Sequence, residues 1–502
     1  MLAPTVSEAA RRYGDRSAVV APDGWELSYR DLDWISDEVA AHLLERGLGP
    51  GSTLALALPP CPEFTILYAA AAKVGAATAG INHRLTPPER LAVAERAAAD
   101  LLLTPSGETL GTDSEQVTLR RVDGPSEVLA GLREPGGVPP PLPDDPDRPV
   151  AIVFTSGTTG TPRGAVFASR QLAFIRHIDT GDQWSGRDAP TVHTLAATAI
   201  THLGSMTKLP GNLLRGVTIH QVERWRAADA LAITSRFAVS TIAGIPTQVA
   251  LMLRDPTFDS TDLSCVRSIV VGGGPATRSL LEEARERLGV PLAVRYSCTE
   301  AGIGLGTAID DPPEDALESV GRPHPGVVVT IRDRDGRLLD AGEIGEVCLS
   351  SPAVMSGYHR DAEASAAVRT TDGAVRTGDL GLLDDQGRLV LRGRTREMYI
   401  RGGFNIYPVE VEGVLAEHPE VAEVAIVARP DDVMGEIGVA VVVARKAADP
   451  PTLEDLRTFA AEQVAAHKLP EDLRLVSRMP LTAMDKVDRC ELKRRVARTE
   501  NT

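Results

Sequence analysis

The spacing of apolar positions changes several times along the chain. Residues 29–44 carry apolar side chains at helical intervals, 54–58 read as a short apolar strand, and 64–74 return to a helical pattern. This alternation predicts α/β layers. The longest apolar stretch, 64–81, is rich in Ala and Gly and interrupted by Lys73. A spanning helix needs roughly 20 strongly apolar residues, so this stretch reads as a buried helix and turn.

Residues 134–149, EPGGVPPPLPDDPDRP, are blocked by proline from continuing either helix or sheet and read as a surface connector. The β-branched run 150–154 predicts a strand that passes directly into TSGTTGTPRGA, a sequence no regular element accommodates. Farther on, a strand at 268–271 leads into Gly272, Gly273, Gly274 and Pro275, followed by an amphipathic helix at 278–288. From 327 to 387 short alternating segments joined by DRDG, DAGE, TDGA and DDQG predict β-rich, barrel-like material. After RGRTRE the pattern becomes helix 408–417, strands 421–428 and 438–445, helix 453–467 and a basic tail. The expected architecture is α/β: a large N-terminal domain of several subdomains, residues 1–393, and a small mobile C-terminal α+β domain, 394–502. No period of about 20 to 50 residues suggests a repeat array.

Composition narrows the function. The 502 residues favour more than one folded unit, and 43% apolar with 24% charged residues is a globular balance. With 53 Lys and Arg against 69 Asp and Glu the formal charge is −16, which gives no broad footprint for nucleic acid or an anionic membrane. Small molecules are the expected partners. Cys61, Cys265, Cys298, Cys348 and Cys490 are far apart and form no CxxC pair, which supports neither a disulfide scaffold nor a zinc site. The N-terminus, MLAPTVSEAARRYGDRSAVV, lacks the apolar core of an export signal, so a cytoplasmic location is expected.

The loop after 154 carries the candidate chemistry. Glycines allow backbone N–H groups to converge on phosphate oxygens, and hydroxyls add donors. The loop supplies Thr155, Ser156, Gly157, Thr158, Thr159, Gly160 and the cation Arg163. It is not a Walker A loop, because the second glycine of GxxxxGK[ST] is replaced by Pro162. Composition alone also allows a plain surface turn.

The segment FTSGTTGTPRG resembles the signature loop of the adenylate-forming superfamily, which includes acyl-CoA synthetases, aryl-CoA ligases, adenylation domains and luciferases. Further motifs follow in the same order: RYSCTEAG resembles YGxTE, RTGDLG the TGD motif, GRTREMYIRGGFNIYPVEVE the hinge and GG loop, and PLTAMDKVDR the terminal lysine motif. LSYRDLD, LPPCPEF and INHRLTPPE extend the similarity to the early helices, so it covers nearly the whole chain.

The resemblance implies an acyl-CoA synthetase that joins a carboxylic acid to ATP as an acyl-adenylate, releasing pyrophosphate, and then transfers the acyl group to coenzyme A. It also implies the residue roles. Gly273, Gly274, Pro275, Tyr296, Ser297, Cys298 and Thr299 would border the nucleotide, with Tyr296 stacked on adenine. Asp379 and Arg394 would hold the ribose, and Glu300 would hold Mg²⁺ beside Thr299. Lys486 would place a cation between carboxylate and α-phosphate. His202, Ala243, Gly244, Gly272, Gly273 and Cys298 would line the acyl pocket. Arg396 would mark the hinge, and Gly402, Gly403 and Phe404 the pantetheine channel. Taken singly, each residue has an ordinary structural reading: a turn Asp, a partly buried Tyr, a solvated Glu or Lys, a core His.

Three departures qualify the match. Arg163 stands where the family usually has Lys, Ser297 where it has Gly, and Asp485 where Gly precedes the terminal lysine. These departures leave the thioester-forming features more regular than the adenylating ones, which motivates a second expectation: an enzyme that completes a ready-made adenylate because its own adenylation is weak or lost. ATAITHLGSM lacks the Asp with which amino-acid-selecting relatives hold an α-ammonium, so a bulky apolar or aromatic acid is expected. The acceptor could equally be a carrier-protein phosphopantetheine, since both present the same thiol arm. Lys493, Arg494 and Arg495 could meet the CoA 3′-phosphate or simply be solvated. A non-catalytic nucleotide-binding protein and a luciferase-like oxygenase are the rivals from other classes.

Overall fold

The computed structural model describes residues 1–119, 127–155, 162–196, 198–483 and 485–498. A large N-terminal part holds four sheets, and a small C-terminal domain holds a fifth.

The first sheet has seven strands in the order Gly357–Tyr358, Arg163–Ala168, Pro149–Thr155, Ala77–Gly80, Thr53–Leu56, Leu101–Pro105 and Glu115–Leu119. From Pro149–Thr155 onward its pairings are parallel. The two-residue period of a strand sorts its side chains between two cores. Leu54 and Leu56 join the core of helices Tyr29–Glu45 and Pro62–Val74, whereas Ala55 and Ala57 join Val93, Ala94 and Ala97 of helix Pro87–Ala97. Strands buried on both faces in this way read as continuous apolar runs. The apolar stretch 64–81 resolves into helix Pro62–Val74, a turn and strand Ala77–Gly80.

The second sheet places Thr241–Gly244, Ser268–Gly272 and Leu292–Tyr296 side by side and parallel. It packs on helices Ala227–Arg236, Pro246–Leu253 and Arg278–Leu288 through Leu231, Val249, Ile269 and Leu281. A four-stranded sheet near the N-terminus contains Ser17–Val20 and Val217–His220. The β-rich region is an antiparallel sheet in the order Val328–Arg332, Gly345–Ser350, Val375–Leu383 and Leu389–Arg394.

In the small domain, strands Val421–Asp431 and Gly435–Ala444 pair antiparallel beneath helices Pro408–Leu415 and Leu453–Ala461. The helix expected over 453–467 is therefore shorter. The chain turns after Ala461, so that Val464 and Leu469 both reach the core, and a 3₁₀ turn follows at Ala466–Lys468. All five cysteines are free, and among the described residues no helix is long and apolar enough to cross a membrane.

The proline-rich connector is tied down at its start. Glu38, on helix Tyr29–Glu45, accepts from Arg133 Nε at 2.7 Å, the Gly136 N–H at 2.7 Å and Trp34 Nε1 at 2.9 Å. The side chains of Arg133 and Glu38 are only 6% and 5% exposed. Burial opposes the Glu38 charge, but the Gly136 and Arg133 hydrogen bonds outweigh it and lower the pKa. The stabilisation is thus present above the ordinary glutamate pKa and is lost as pH falls through the lowered one. Glu38→Gln leaves a buried guanidinium without its counter-ion. It is expected to cost about 3 kcal/mol at neutral pH, with the gap to the parent closing under acid, as read by denaturant unfolding at several pH values.

Candidate active site

In open α/β sheets, ligands are received at the carboxyl ends of parallel strands. Two such edges contribute here. Gly80 and Thr155 end neighbouring parallel strands of the first sheet, and Gly244, Gly272 and Tyr296 end neighbouring parallel strands of the second. Backbone packing requires small residues at both edges. A Cβ on Gly80 would lie 2.8 Å from Thr201 Cβ, and one on Gly272 would lie 2.8 Å from the Arg295 carbonyl oxygen. The first approach brings the 198–206 segment, with His202, against the first sheet.

Tyr296 and Asp379 come from different sheets and meet in a buried bond. Tyr296 Oη donates to Asp379 Oδ2 at 2.6 Å, and Arg394 Nε donates to Oδ1 at 3.0 Å. Asp379 is 6% exposed, a burial that a carboxylate tolerates only when so paired. Burial first, and the Asp379 charge second, raise the Tyr296 pKa, so the phenol keeps its proton and acts as donor. The Asp379 backbone N–H is held by Thr377 Oγ1 at 3.1 Å, and Thr377 Oγ1 in turn donates to the Val347 carbonyl at 2.8 Å.

Glu300 is half-buried and accepts from Tyr358 Oη at 2.7 Å. The Arg163 guanidinium lies over the Tyr358 ring, 5.6 Å from its centroid, so the end of the 155–164 loop faces the same carboxylate. Glu300 thereby keeps one oxygen for another partner. Among the described residues no group of three His, Cys, Asp or Glu could hold a metal by itself. A magnesium ion that takes most of its ligands from phosphates and water needs only one or two carboxylates, and Glu300 fits that demand.

The small domain delivers Lys486. Burial, and then the Arg394 charge, lower its pKa, while Asp379 opposes them. The same lysine, second to burial, contributes to lowering the His202 pKa to about 4. His202 Nδ1 accepts from the Gly204 N–H at 3.3 Å, which leaves the ring proton on Nε2. Lys486, Arg394, Asp379 and His202 are thus electrostatic neighbours although they come from four separate stretches of chain.

Of the other expected residues, Gly273, Gly274, Pro275 and Ser297 are exposed beyond the second sheet, with Gly273 at φ 79°. Cys298 and Thr299 are half-buried in the turn before Glu300, and burial pushes the Cys298 thiol well above its ordinary pKa. Ala243 and Gly244 border an apolar cleft whose lining includes Leu195, Trp225, Ile242 and Met252. Arg396 lies exposed in a tight turn closed by the Met398 N–H on the Arg394 carbonyl at 3.0 Å. Gly402, Gly403 and Phe404 stay with the small domain. The Gly402 N–H donates to the Met434 carbonyl at 2.8 Å, and the Phe404 ring stacks on His467 with centroids 4.4 Å apart. Ser156, Gly157, Thr158, Thr159 and Gly160 lie outside the described residues.

Two participants went unrecognised in the sequence. Tyr358, in MSGYHR, orients Glu300, and Arg84, in INHRLTPPE, pairs with Asp485. Asp485, the departure beside the lysine, was the visible signal for the second.

Comparison with known proteins fixes the family. The chain matches the AMP-binding enzyme family over residues 6–359 and the AMP-binding enzyme C-terminal domain over 410–486. It is 31% identical to the fatty acid–[acyl-carrier-protein] ligase ScoC of Streptomyces coeruleorubidus, across 98% of this chain and 96% of that protein. It is also 31% identical to the indoleacetate–CoA ligase of Aromatoleum aromaticum, across 94% of each. Its fold matches the amide bond synthetase McbA from Marinactinospora thermotolerans with TM-score 0.86 at 28% identity, covering 99% of this chain and 100% of that one. The match to o-succinylbenzoate CoA synthetase from Bacillus subtilis, in complex with its acyl-adenylate, has TM-score 0.83 at 27% identity and covers 97% of each chain. The protein belongs to the AMP-binding enzyme family, on the acyl- and aryl-CoA ligase branch of the adenylate-forming superfamily.

Proposed function

We propose that this AMP-forming acid–thiol ligase activates a bulky apolar or aromatic carboxylic acid with ATP and transfers the acyl group to the thiol of coenzyme A. One observation carries the reading: Lys486 of the small domain reaches the electrostatic field of the buried Asp379 and of its exposed partner Arg394, with His202 beside it. A cation at that point faces the place where carboxylate and α-phosphate must be forced together.

Asp379 holds the ribose, because a carboxylate has about four lone-pair sites and its two present donors leave room for hydroxyls. Tyr296 and residues 273–275 border the adenine, and Thr155, Arg163 and Thr299 contact the phosphates. Glu300, oriented by Tyr358, is the residue suited to Mg²⁺, which when bound supplies charge neutralisation to the phosphates. The neutral His202 presents Nε2–H toward the acyl side as a hydrogen-bond donor. Lys486 then stabilises the negative charge that gathers as the carboxylate oxygen bonds to the α-phosphorus and pyrophosphate departs. For the second half-reaction the chain divides at 393/394 and the small domain turns about Arg396. That turn withdraws Lys486 and brings Gly402, Gly403 and Phe404 forward as the wall of a pantetheine channel. Ala243 and Gly244, both small, would wall the acid's pocket.

One observation favours a second acceptor: the 31% identity with a protein named as a fatty acid–[acyl-carrier-protein] ligase. The alternative reading is a member that only completes a preformed adenylate, motivated by Arg163, Ser297 and Asp485 at the positions where the family usually has Lys, Gly and Gly; Asp485 adopts φ 58°, a conformation glycine takes more easily.

Mass spectrometry of an acid panel with ATP, Mg²⁺ and either CoA or a phosphopantetheinylated carrier tests the whole reading. Acid-dependent AMP and pyrophosphate with an acyl thioester are expected, and nucleotide binding without turnover on any acid or synthetic adenylate would refute it. Lys486→Ala is expected to lower acid-dependent pyrophosphate release by about 10²–10³-fold while sparing thioester formation from a supplied adenylate. Separately, the Lys486 ammonium is lost as pH rises through its lowered pKa, so pyrophosphate release should decline at a pH below that of an ordinary lysine. His202, neutral above about pH 4, contributes no limb between about pH 5 and 8. Lys486→Arg should carry the alkaline limb upward, and His202→Asn should leave the acid limb in place; pH–rate profiles of pyrophosphate release measure both.

A further inference from the structure

The small domain also meets the large one through a pair that the chemistry above leaves unused. Arg84 follows strand Ala77–Gly80, one of the strands whose carboxyl end faces the site, and its backbone N–H is braced by Asn82 Oδ1 at 3.0 Å. Its guanidinium meets the Asp485 carboxylate fork to fork: Nη1 to Oδ2 and Nη2 to Oδ1 are both 2.7 Å. The side chains are 27% and 24% exposed, so water reaches the pair without dissolving it. The Asp485 hydrogen bond, followed by burial in the opposite sense, raises the Arg84 pKa.

Asp485 is the residue immediately before Lys486, and hydrogen bonds tie both to Thr482. The Thr482 N–H donates to the Lys486 carbonyl at 2.7 Å, the Asp485 N–H to the Thr482 carbonyl at 3.0 Å, and the Lys486 N–H to Thr482 Oγ1 at 3.3 Å. Leu481 and Val487 pair across its base. Fixing the Asp485 carboxylate therefore fixes the backbone from which Lys486 extends. Residue 485 sits at φ 58°, where glycine is free of strain and a side chain is not, although Asp tolerates the region better than most residues. A side chain retained at a strained position, and bonded through both oxygens to the other domain, is explained by that bond. A further polar contact between the large part and the small domain, Arg254 Nη2 to the Ala422 carbonyl at 3.1 Å, is a single exposed bond.

We infer that Arg84 and Asp485 form a positioning pair that holds the small domain in the orientation placing Lys486 at the site, favouring adenylate formation over acyl transfer. The effect on catalysis rests on the reading of Lys486 given above; the orienting contact itself does not. When the small domain turns, both hydrogen bonds must break together, so the pair sets part of the balance between the two orientations. Neither residue touches the reacting atoms in this reading.

Asp485→Asn is the informative variant, because Asn accepts positive φ and keeps the shape while removing the charge. Arg84→Gln removes the fork from the other side, Arg84→Lys keeps a point charge, and the double variant closes the cycle. Hydrogen exchange of the ligand-free protein is measured first. Each single loss variant should speed exchange in both 82–86 and 481–487 by about tenfold, and the double should add nothing further. Half-reactions follow, using phenylacetate with ATP for pyrophosphate release and phenylacetyl-adenylate with CoA for transfer. Pyrophosphate release should fall about tenfold in kcat with little change in KM for ATP, transfer should be unchanged or faster, and Arg84→Lys should recover part of the loss. Unchanged exchange, additive losses in the double variant, or equal losses in both half-reactions would overturn the inference. If the parent protein turns over neither probe, the exchange measurements alone decide on the pair, separately from the proposed reaction.

Discussion

A buried carboxylate is the constraint around which this site is organised. Asp379 lies on a strand of the antiparallel sheet, and at 6% exposure its carboxylate oxygens are satisfied by donors that other elements bring to it. Tyr296 arrives from the last parallel strand of the second sheet, and Arg394 from the final residue of the strand that leads into the small domain. One side chain therefore locks together two sheets and the start of the interdomain link. Removing any of the three leaves a charge or a donor unsatisfied in a place water barely reaches. The same bonds keep the carboxylate fixed in space with lone pairs to spare, which is what the proposed recognition of the ribose diol requires. Under the proposed function, one group meets both structural need and ligand recognition.

The surrounding geometry follows from where the strands end. Parallel strands finish on the same edge, so residues far apart in sequence, Gly244, Gly272 and Tyr296, emerge next to one another. Small residues at these ends are a packing requirement before they are a binding feature: a side chain at Gly80 or Gly272 would collide with Thr201 or with the Arg295 backbone.

Much of this could be read from the sequence, and what could not has a physical reason. Local pattern located the strand ending at Thr155, the strand and glycine turn after Ser268, and the two-strand core of the small domain, because their period and punctuation are set by near neighbours. The motif residues Asp379, Tyr296 and Glu300 carried their roles through family resemblance, since as single residues in a list they have commonplace alternatives. The helix after Leu453 was overextended because its apolar spacing continues past Ala461, while the chain turns to bury Val464 and Leu469. Tyr358 and Arg84 were invisible for a different reason. Their partners lie 58 and 401 residues away, and no periodicity records a contact made by tertiary folding.

In the proposed reaction the small domain turns between half-reactions, and the strength of the Arg84 and Asp485 contact has to suit that motion. A fully buried bidentate pair, whose disruption costs about 3–5 kcal/mol, would hold the small domain in one orientation for all but roughly one part in a hundred to one part in several thousand of the time. A fully exposed pair, at about 0–1 kcal/mol, would hardly bias it. With roughly a quarter of each side chain exposed, this pair falls between those limits. At 1.4 kcal/mol per factor of ten, a contribution of about 1–2 kcal/mol shifts the balance some five- to thirtyfold. That is enough to present Lys486 reliably and little enough for the bonds to break once per cycle. Partial exposure is therefore what a contact of this kind needs: it lets water take over both partners when the domain turns, so that neither charge is stranded.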